Sequence, residues 1–340
     1  MPTEVFTERK DWSSIPIRSL GLGVSGTRLE PILTQFGGEL ERAGIRRVKP
    51  VFYLSTEWGV PFDTVAIAIP FYLAHPDLTR LHAERAGHVE GFSPADILRY
   101  LRHEMGHVVN YAYKLYERDD WTKQFGPIDK PYEEEYRAVP FSRRFVRHLP
   151  GWYAQKHPDE DWAETFAVWM TPNLDWRAEY ADRPTALAKL EYCDRTMAEL
   201  KDRDPVVTAA DLDEDVSELS QSLEEFYGPP DREEQFPHSL DGVLRSVFED
   251  VCLGGNGSAE ARQPAGELIR SLEQRLMDDV YRWTGHFPER TRRLVRHLAK
   301  RARQMKLAYP EARRVDAAVA LTTLVTALAM NHVHGGSYLP

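Results

Sequence analysis

His103, Glu104 and His107 stand in the stretch LRYLRHEMGHVVNYAY, residues 98–113. Two histidines four positions apart lie on one face of an α-helix, about one turn from each other. Both imidazoles can then reach a single ion. Glu104 follows the first histidine and projects beside that ion, where a carboxylate can take a proton from activated water. This is the physical content of the HExxH pattern. Without an ion, the same residues would be a solvated His–Glu pair on a surface helix. His75, His82, His88, His148 and His157 show no paired spacing as good.

The pattern needs a helix, and the flanking residues predict one. Ser93 suits the N-cap, Pro94 the first helical position, and Asp96 the positive end of the helix. Ile97, Leu98, Leu101, Met105, Val108, Val109 and Ala112 recur at helical spacing. Gly106 weakens a helix, and a closely packed neighbour would account for it.

A catalytic zinc takes three protein ligands and keeps one position open. The third is sought in HPDEDWAETFAVWM, residues 157–170. Trp162, Ala163, Phe166, Ala167, Val168, Trp169 and Met170 make this a largely buried helix, yet Glu160 and Glu164 share one face of it. Buried carboxylates need a cation or a donor. One glutamate would bind the metal and the other would accept the N–H of a ligand histidine. Spacing alone does not rank them. Two imidazoles with one carboxylate suit Zn2+ over magnesium or calcium.

LRHEMGH followed by HPDEDWAETFA resembles the zinc-binding metallopeptidases of the gluzincin type, over about residues 49–190. The core is also similar to the catalytic domain of anthrax lethal factor. The resemblance implies Glu160 as the zinc ligand, Glu164 as the residue behind it, and Tyr153, seven positions before Glu160, as a donor to an oxyanion. It implies an α+β, zincin-like metallopeptidase domain: a small mixed sheet, the HExxH helix and a glutamate-bearing helix. It further implies that an edge strand aligns the substrate by backbone pairing. That role would fall to Ala66, Ile67, Ala68, Ile69 and Pro70. The long gap between His107 and Glu160 departs from a compact thermolysin-like layout.

Several elements must position these residues. Residues 51–58 and 64–74 read as strands, with Pro70 removing a ladder donor and placing the second strand at a sheet edge. Gly21, Gly23 and Gly26 match GxGxxG, but no good strand precedes them and the next strand comes late, so they read as a turn into a helix. Residues 117–151 are rich in aromatic and basic side chains, suiting either a substrate cleft or lid, or a helical insert that packs its aromatics inward. Residues 211–237 are acidic and contain Pro-Pro, which reads as a linker. Helical patterns follow. The expected organisation is a metallopeptidase domain over 1–205, an acidic linker over 206–237 and an all-α domain over 238–340.

The chain has 340 residues, long enough for a proper core. A net charge of −10 argues against nucleic acid as a partner, although residues 290–306 form a basic helix. Cys193 and Cys252 are far apart and suggest neither a metal knuckle nor a disulfide framework, pointing to a reducing cytoplasm. The first residues lack the regions of a signal peptide. Residues 317–330 form the most apolar run, too short to span a membrane. The reading is a zinc-dependent metallopeptidase acting on a peptide or protein, with one Zn2+ per chain and a possible protein partner for the helical domain. Hydrolysis of another amide or isopeptide at the same site, or a zinc-stabilised interaction protein with a blocked site, are the alternatives.

Overall fold

A computed structural model of the chain describes residues 12–86, 88–132, 136, 138–139, 141–228, 236–237, 239–250 and 262–339. Cys252 and the first eleven residues, on which two of the expectations rest, lie outside them. The chain forms two compact units. One comprises 1–85 and 89–230, the other 86–88 and 231–340.

In the first unit, apolar residues at helical spacing build α1 (Leu29–Arg42), which buries Leu29, Ile32, Phe36 and Leu40. Gly21 and Gly26 adopt φ of 64° and 74° in the turns before it. Ile17–Leu20 is a 3-10 turn, so the glycines have no strand before them. The strands β1 (Val51–Ser55) and β2 (Ala66–Pro70) pair in parallel, with Val51 opposite Ala66 and Ser55 opposite Pro70. The helix α2 (Pro76–Ala86) follows. The histidine helix is α3 (Pro94–Ala112), and its start matches the sequence signals: Ser93 and Asp96 close a reciprocal capping box and Pro94 opens the first turn. A short α4 (Asp119–Phe125) buries Trp121 and Phe125. The glutamate helix is α5 (Pro158–Met170). The short α6 (Trp176–Glu179), then α7 (Pro184–Leu200) and α8 (Leu223–Tyr227), complete the unit.

The core of this unit joins Phe36, Ile67, Ile69, Leu101, Met105, Trp121, Trp162 and Phe166, so β2, α3 and α5 share one interior. α3 and α5 meet at Gly106. A Cβ there would lie 2.7 Å from Ala163 Cα, and Trp162 Nε1 donates to the Gly106 carbonyl at 2.8 Å. The glycine therefore permits a close backbone approach that brings the faces of the two helices together.

Two expectations are corrected here. Residues 206–228 are not a free linker. Val206 N–H donates to Ala112 O at 2.8 Å, Val65 N–H to Ala209 O at 2.8 Å and Val216 N–H to Leu54 O at 2.8 Å, while Leu223 joins the core. Main-chain bonds to β1 and the end of α3 tie this acidic stretch down. β2 is an edge strand of its two-stranded sheet, as Pro70 predicts, but its outer side is not free for a substrate. All five of its residues are buried, and the Ala68 N–H already donates to Gly59 O at 2.8 Å. A substrate strand could not pair at Ala68 without displacing that segment.

The second unit contains α9 (Leu240–Val247), β3 (Glu249–Asp250), β4 (Arg262–Pro264), α10 (Ala265–Ser271), α11 (Glu273–Thr284), α12 (Pro288–Gln304), β5 (Leu307–Pro310) and α13 (Arg314–Gly335). The expected all-α domain is corrected: helices predominate, but a three-stranded antiparallel sheet in the order β3-β5-β4 is part of the unit. The apolar run extends further than its composition implied. α13 has 22 residues, and the helical stretch Glu311–Gly335 is long and apolar enough to cross a membrane. Its Ala317, Leu321, Val325, Leu328 and Ala329 pack into the core of this unit. On α12, Arg301 pairs with Asp241 and Arg296 with Glu273, at 2.9 Å for the latter, so part of the basic face is neutralised within the unit. The whole is α-rich with small sheets, a mixed α and β architecture.

Candidate metal centre

α3 presents His103 and His107 from successive turns, and α5 presents Glu160 from its first turn. All three are buried. His103 Nε2 lies 3.0 Å from Glu160 Oε2, His107 Nε2 lies 3.3 Å from the same oxygen, and the two Nε2 atoms are 3.3 Å apart. Three potential ligand atoms thus form a nearly equilateral triangle.

The far side of each ring explains why the triangle is assembled. His103 Nδ1 lies 2.9 Å from Glu164 Oε1. An ionised carboxylate only accepts, so Nδ1 carries the proton and a neutral His103 turns a bare lone pair toward His107 and Glu160. His107 Nδ1 lies 3.0 Å from Asp159 Oδ2, close enough for charge pairing though off the line of a good hydrogen bond. Asp159 is itself held by Asn110 Nδ2 at 2.7 Å and Tyr111 O–H at 2.5 Å. Two lone pairs and a carboxylate oxygen converging in a buried place could hold a metal ion.

The set fits zinc. A tetrahedral ion with bonds of about 2.0–2.1 Å holds its ligand atoms roughly 3.3–3.4 Å apart. The separations here are 3.0, 3.3 and 3.3 Å. Protons are the competitors for these positions. Burial pulls His103 down, but the bonded carboxylates of Glu160 and Glu164 outweigh it and lift it to about 9. His107 is likewise raised against its burial, by Asp159 and Glu160. Burial opposes ionisation of Glu160, yet the charge of His107 and the bond to His103 hold it well below the ordinary carboxylate range.

Glu104 is buried beside the triangle and forms no side-chain hydrogen bond among the described residues. Burial pushes its carboxyl up to about 7, against the pull of His103 and His107. A divalent cation nearby would bring that value down again. Glu164 is fully buried and saturated: besides His103 it accepts the N–H of His148 at 2.6 Å and of Leu149 at 2.9 and 3.0 Å. Those residues start the turn that carries Tyr153. In that turn Gly151 and Trp152 have φ of 86° and 61°, and the Arg147 guanidinium sits 4.2 Å over the Trp152 ring. A non-glycine residue in the left-handed region stores strain that the surroundings must hold. The Tyr153 ring ends 5.5 Å from that of His103.

The structure therefore gathers His103, Glu104, His107, Glu160, Glu164 and Tyr153 in one place, and leaves Ala66 to Pro70 buried in the core. Sequence reasoning missed Asp159, Asn110, Tyr111 and Tyr132. Asn110 and Tyr111 follow His107 at i+3 and i+4 on α3, a spacing that does mark the face next to the ligand. Tyr132 comes from the aromatic stretch and donates to Glu160 Oε1 at 2.6 Å. Of the two readings of that stretch, inward packing describes Trp121 and Phe125, whereas Phe141 is exposed.

No curated protein and no solved structure matches the chain. Residues 93–224, from the cap of α3 into α8, match the model of the family described as "Putative zinc-binding metallo-peptidase".

Proposed function

We propose that the chain is a zinc-dependent metallopeptidase that hydrolyses peptide bonds, with a zincin-like catalytic unit. The single observation that carries this reading is the triangle of His103 Nε2, His107 Nε2 and Glu160 Oε2, with edges matching a tetrahedral ion. Those residues would hold one Zn2+, which when bound supplies Lewis acidity and makes water acidic enough to ionise near neutral pH. Glu104 takes the water proton and later delivers it to the leaving amine. Burial raises that carboxyl, and beside a bound cation it would be ionised and able to accept the proton. Glu164 accepts the Nδ1 proton of His103 and Asp159 lies beside Nδ1 of His107, so that the proton each ring keeps when the ion binds is the one on Nδ1 and Nε2 is given to the metal. The Tyr153 hydroxyl donates to the oxyanion of the tetrahedral intermediate. Backbone pairing by Ala66 to Pro70 is not part of this mechanism, since that strand is enclosed.

Metal analysis of the purified chain tests the reading. One zinc per chain is expected, and none in His103→Ala or His107→Ala. Full zinc in either variant would place the ion elsewhere.

A further inference from the structure

The carboxylate of Glu160 has two oxygens, and only Oε2 faces the imidazoles. Oε1 accepts the O–H of Tyr132 at 2.6 Å. The same hydroxyl lies 3.2 Å from that of Tyr153. A phenol has one proton, and a carboxylate cannot donate. Tyr132 therefore gives its proton to Glu160, and the bond between the two phenols must run from Tyr153 to Tyr132.

The placement of Tyr132 is built. His157 caps α5, its Nδ1 accepting the Asp159 N–H at 3.2 Å, and its Nε2–H donates to Lys130 O at 2.8 Å. The loop is thus pinned two residues before Tyr132 by the cap of the helix that carries Glu160. The ring packs against His157, with centroids 5.3 Å apart, and under the Lys156 ammonium, 4.2 Å away. Yet Tyr132 is 48% exposed. A half-exposed aromatic gains little from burial, and the charge-assisted hydrogen bond of its hydroxyl is one interaction that fixes it.

We propose that Tyr132 is a positioning residue of the metal centre: its hydroxyl occupies Glu160 Oε1, so that Oε2 alone is presented to the ion, and it accepts a hydrogen bond from the Tyr153 hydroxyl, holding that phenol at the site's edge until an oxyanion takes the bond over. The proposal rests on the zinc-centre reading above. A carboxylate tied through one oxygen binds a metal through the other, which keeps a coordination position open for water. Released, Glu160 could turn and engage the ion through both oxygens.

The test is zinc and cobalt(II) binding by the full chain, wild type against Tyr132→Phe, with Tyr136→Phe as control. Phenylalanine keeps the exposed ring and removes only the hydroxyl. Tyr136 donates its O–H to Gly151 O at 2.7 Å, so its variant loses an equivalent bond on the same loop without touching a ligand. Competition with a chelator should show the zinc Kd raised roughly 10–100-fold in Tyr132→Phe and unchanged in Tyr136→Phe. The visible bands of the cobalt form should shift in Tyr132→Phe alone. Wild-type affinity and an unshifted cobalt spectrum in Tyr132→Phe would overturn the proposal and leave the zinc centre standing, as would equal weakening in both variants. A wild-type chain that binds neither metal would overturn the zinc centre, and this proposal with it.

Discussion

His103 Nδ1 lies 2.9 Å from Glu164 Oε1, and the same carboxylate receives the backbone N–H groups of His148 and Leu149. One fully buried side chain therefore fixes the tautomer of a metal-facing imidazole and anchors the turn that carries Tyr153. Glu160, one helical turn earlier, faces the triangle itself. The two glutamates look alike in sequence and differ in what they touch.

That difference predicts an order of zinc affinities. Glu164→Ala should weaken zinc by roughly 10–100-fold, the usual cost of losing the group behind a ligand histidine. Glu160→Ala removes a ligand atom and should weaken it more. Chelator competition on both variants reads the order, and the reverse order would mean that the wrong glutamate has been placed on the metal.

The close approach of α3 and α5 predicts a reversed sign for a familiar substitution. Replacing a glycine inside a helix by alanine ordinarily stabilises by about 1 kcal/mol. At position 106 the new Cβ would stand 2.7 Å from Ala163 Cα, and backbone cannot move aside cheaply. Gly106→Ala should instead lose roughly 1–2 kcal/mol net, because overpacking outweighs helix propensity. Urea unfolding of the metal-free chain measures it. An unchanged or raised midpoint would show that the helices do not meet here.

Zinc binding should release protons. Metal-free His103 is lifted to about 9, against its burial, by Glu160 and Glu164, and His107 is raised as well, so at pH 7 both rings carry a proton that the ion must displace. Affinity should accordingly rise with pH through neutrality. Calorimetry in buffers of different ionisation enthalpy counts the protons. Proton release near zero at pH 7 would contradict this picture of the apo site.

In the second unit, His286 is buried, with Nδ1 2.7 Å from Thr291 Oγ1 and Nε2 2.9 Å from the Tyr338 hydroxyl. Burial, aided by the charges of His332, Arg290 and Arg293, lowers it to about 3. An unfolded histidine titrates near 6.5. The unfolded state therefore gains protons first, and stability is lost as pH falls from 6.5 toward 3. At pH 5 the loss is on the order of 2 kcal/mol. The ring nitrogen shifts of His286 should remain those of a neutral imidazole at pH 5, and a protonated signal there would refute the assignment.

The site was legible in sequence where its geometry is local. His103, Glu104 and His107 sit on one helix whose cap, first-turn proline and apolar stripe are all written within twenty residues. Glu160 and Glu164 could be paired by helical spacing but ranked only by resemblance. Asp159 and Tyr132 were not legible, because their partners, His107 and Glu160, are brought to them by tertiary folding and no spacing rule connects them. The stretch 206–228 departs from the linker that its composition predicts for a related reason. Its composition is that of a linker, while the bonds that hold it are main-chain bonds to Leu54, Val65 and Ala112, which leave no mark on residue type. β2 is the edge strand that Pro70 predicts, and its cover comes from the backbone of Gly59, which no residue type announces.

The central claim is that this centre hydrolyses peptide bonds with Glu104 as the base. The most direct measurement is cleavage of a diverse peptide library by zinc-loaded wild type and by Glu104→Gln, with zinc content determined on both. The amide keeps the size of the side chain and cannot take the proton. The account predicts full zinc in both proteins, cleavage by wild type, and a rate lower by about 10²–10⁴ in the variant. Cleavage by Glu104→Gln as fast as by wild type would contradict it.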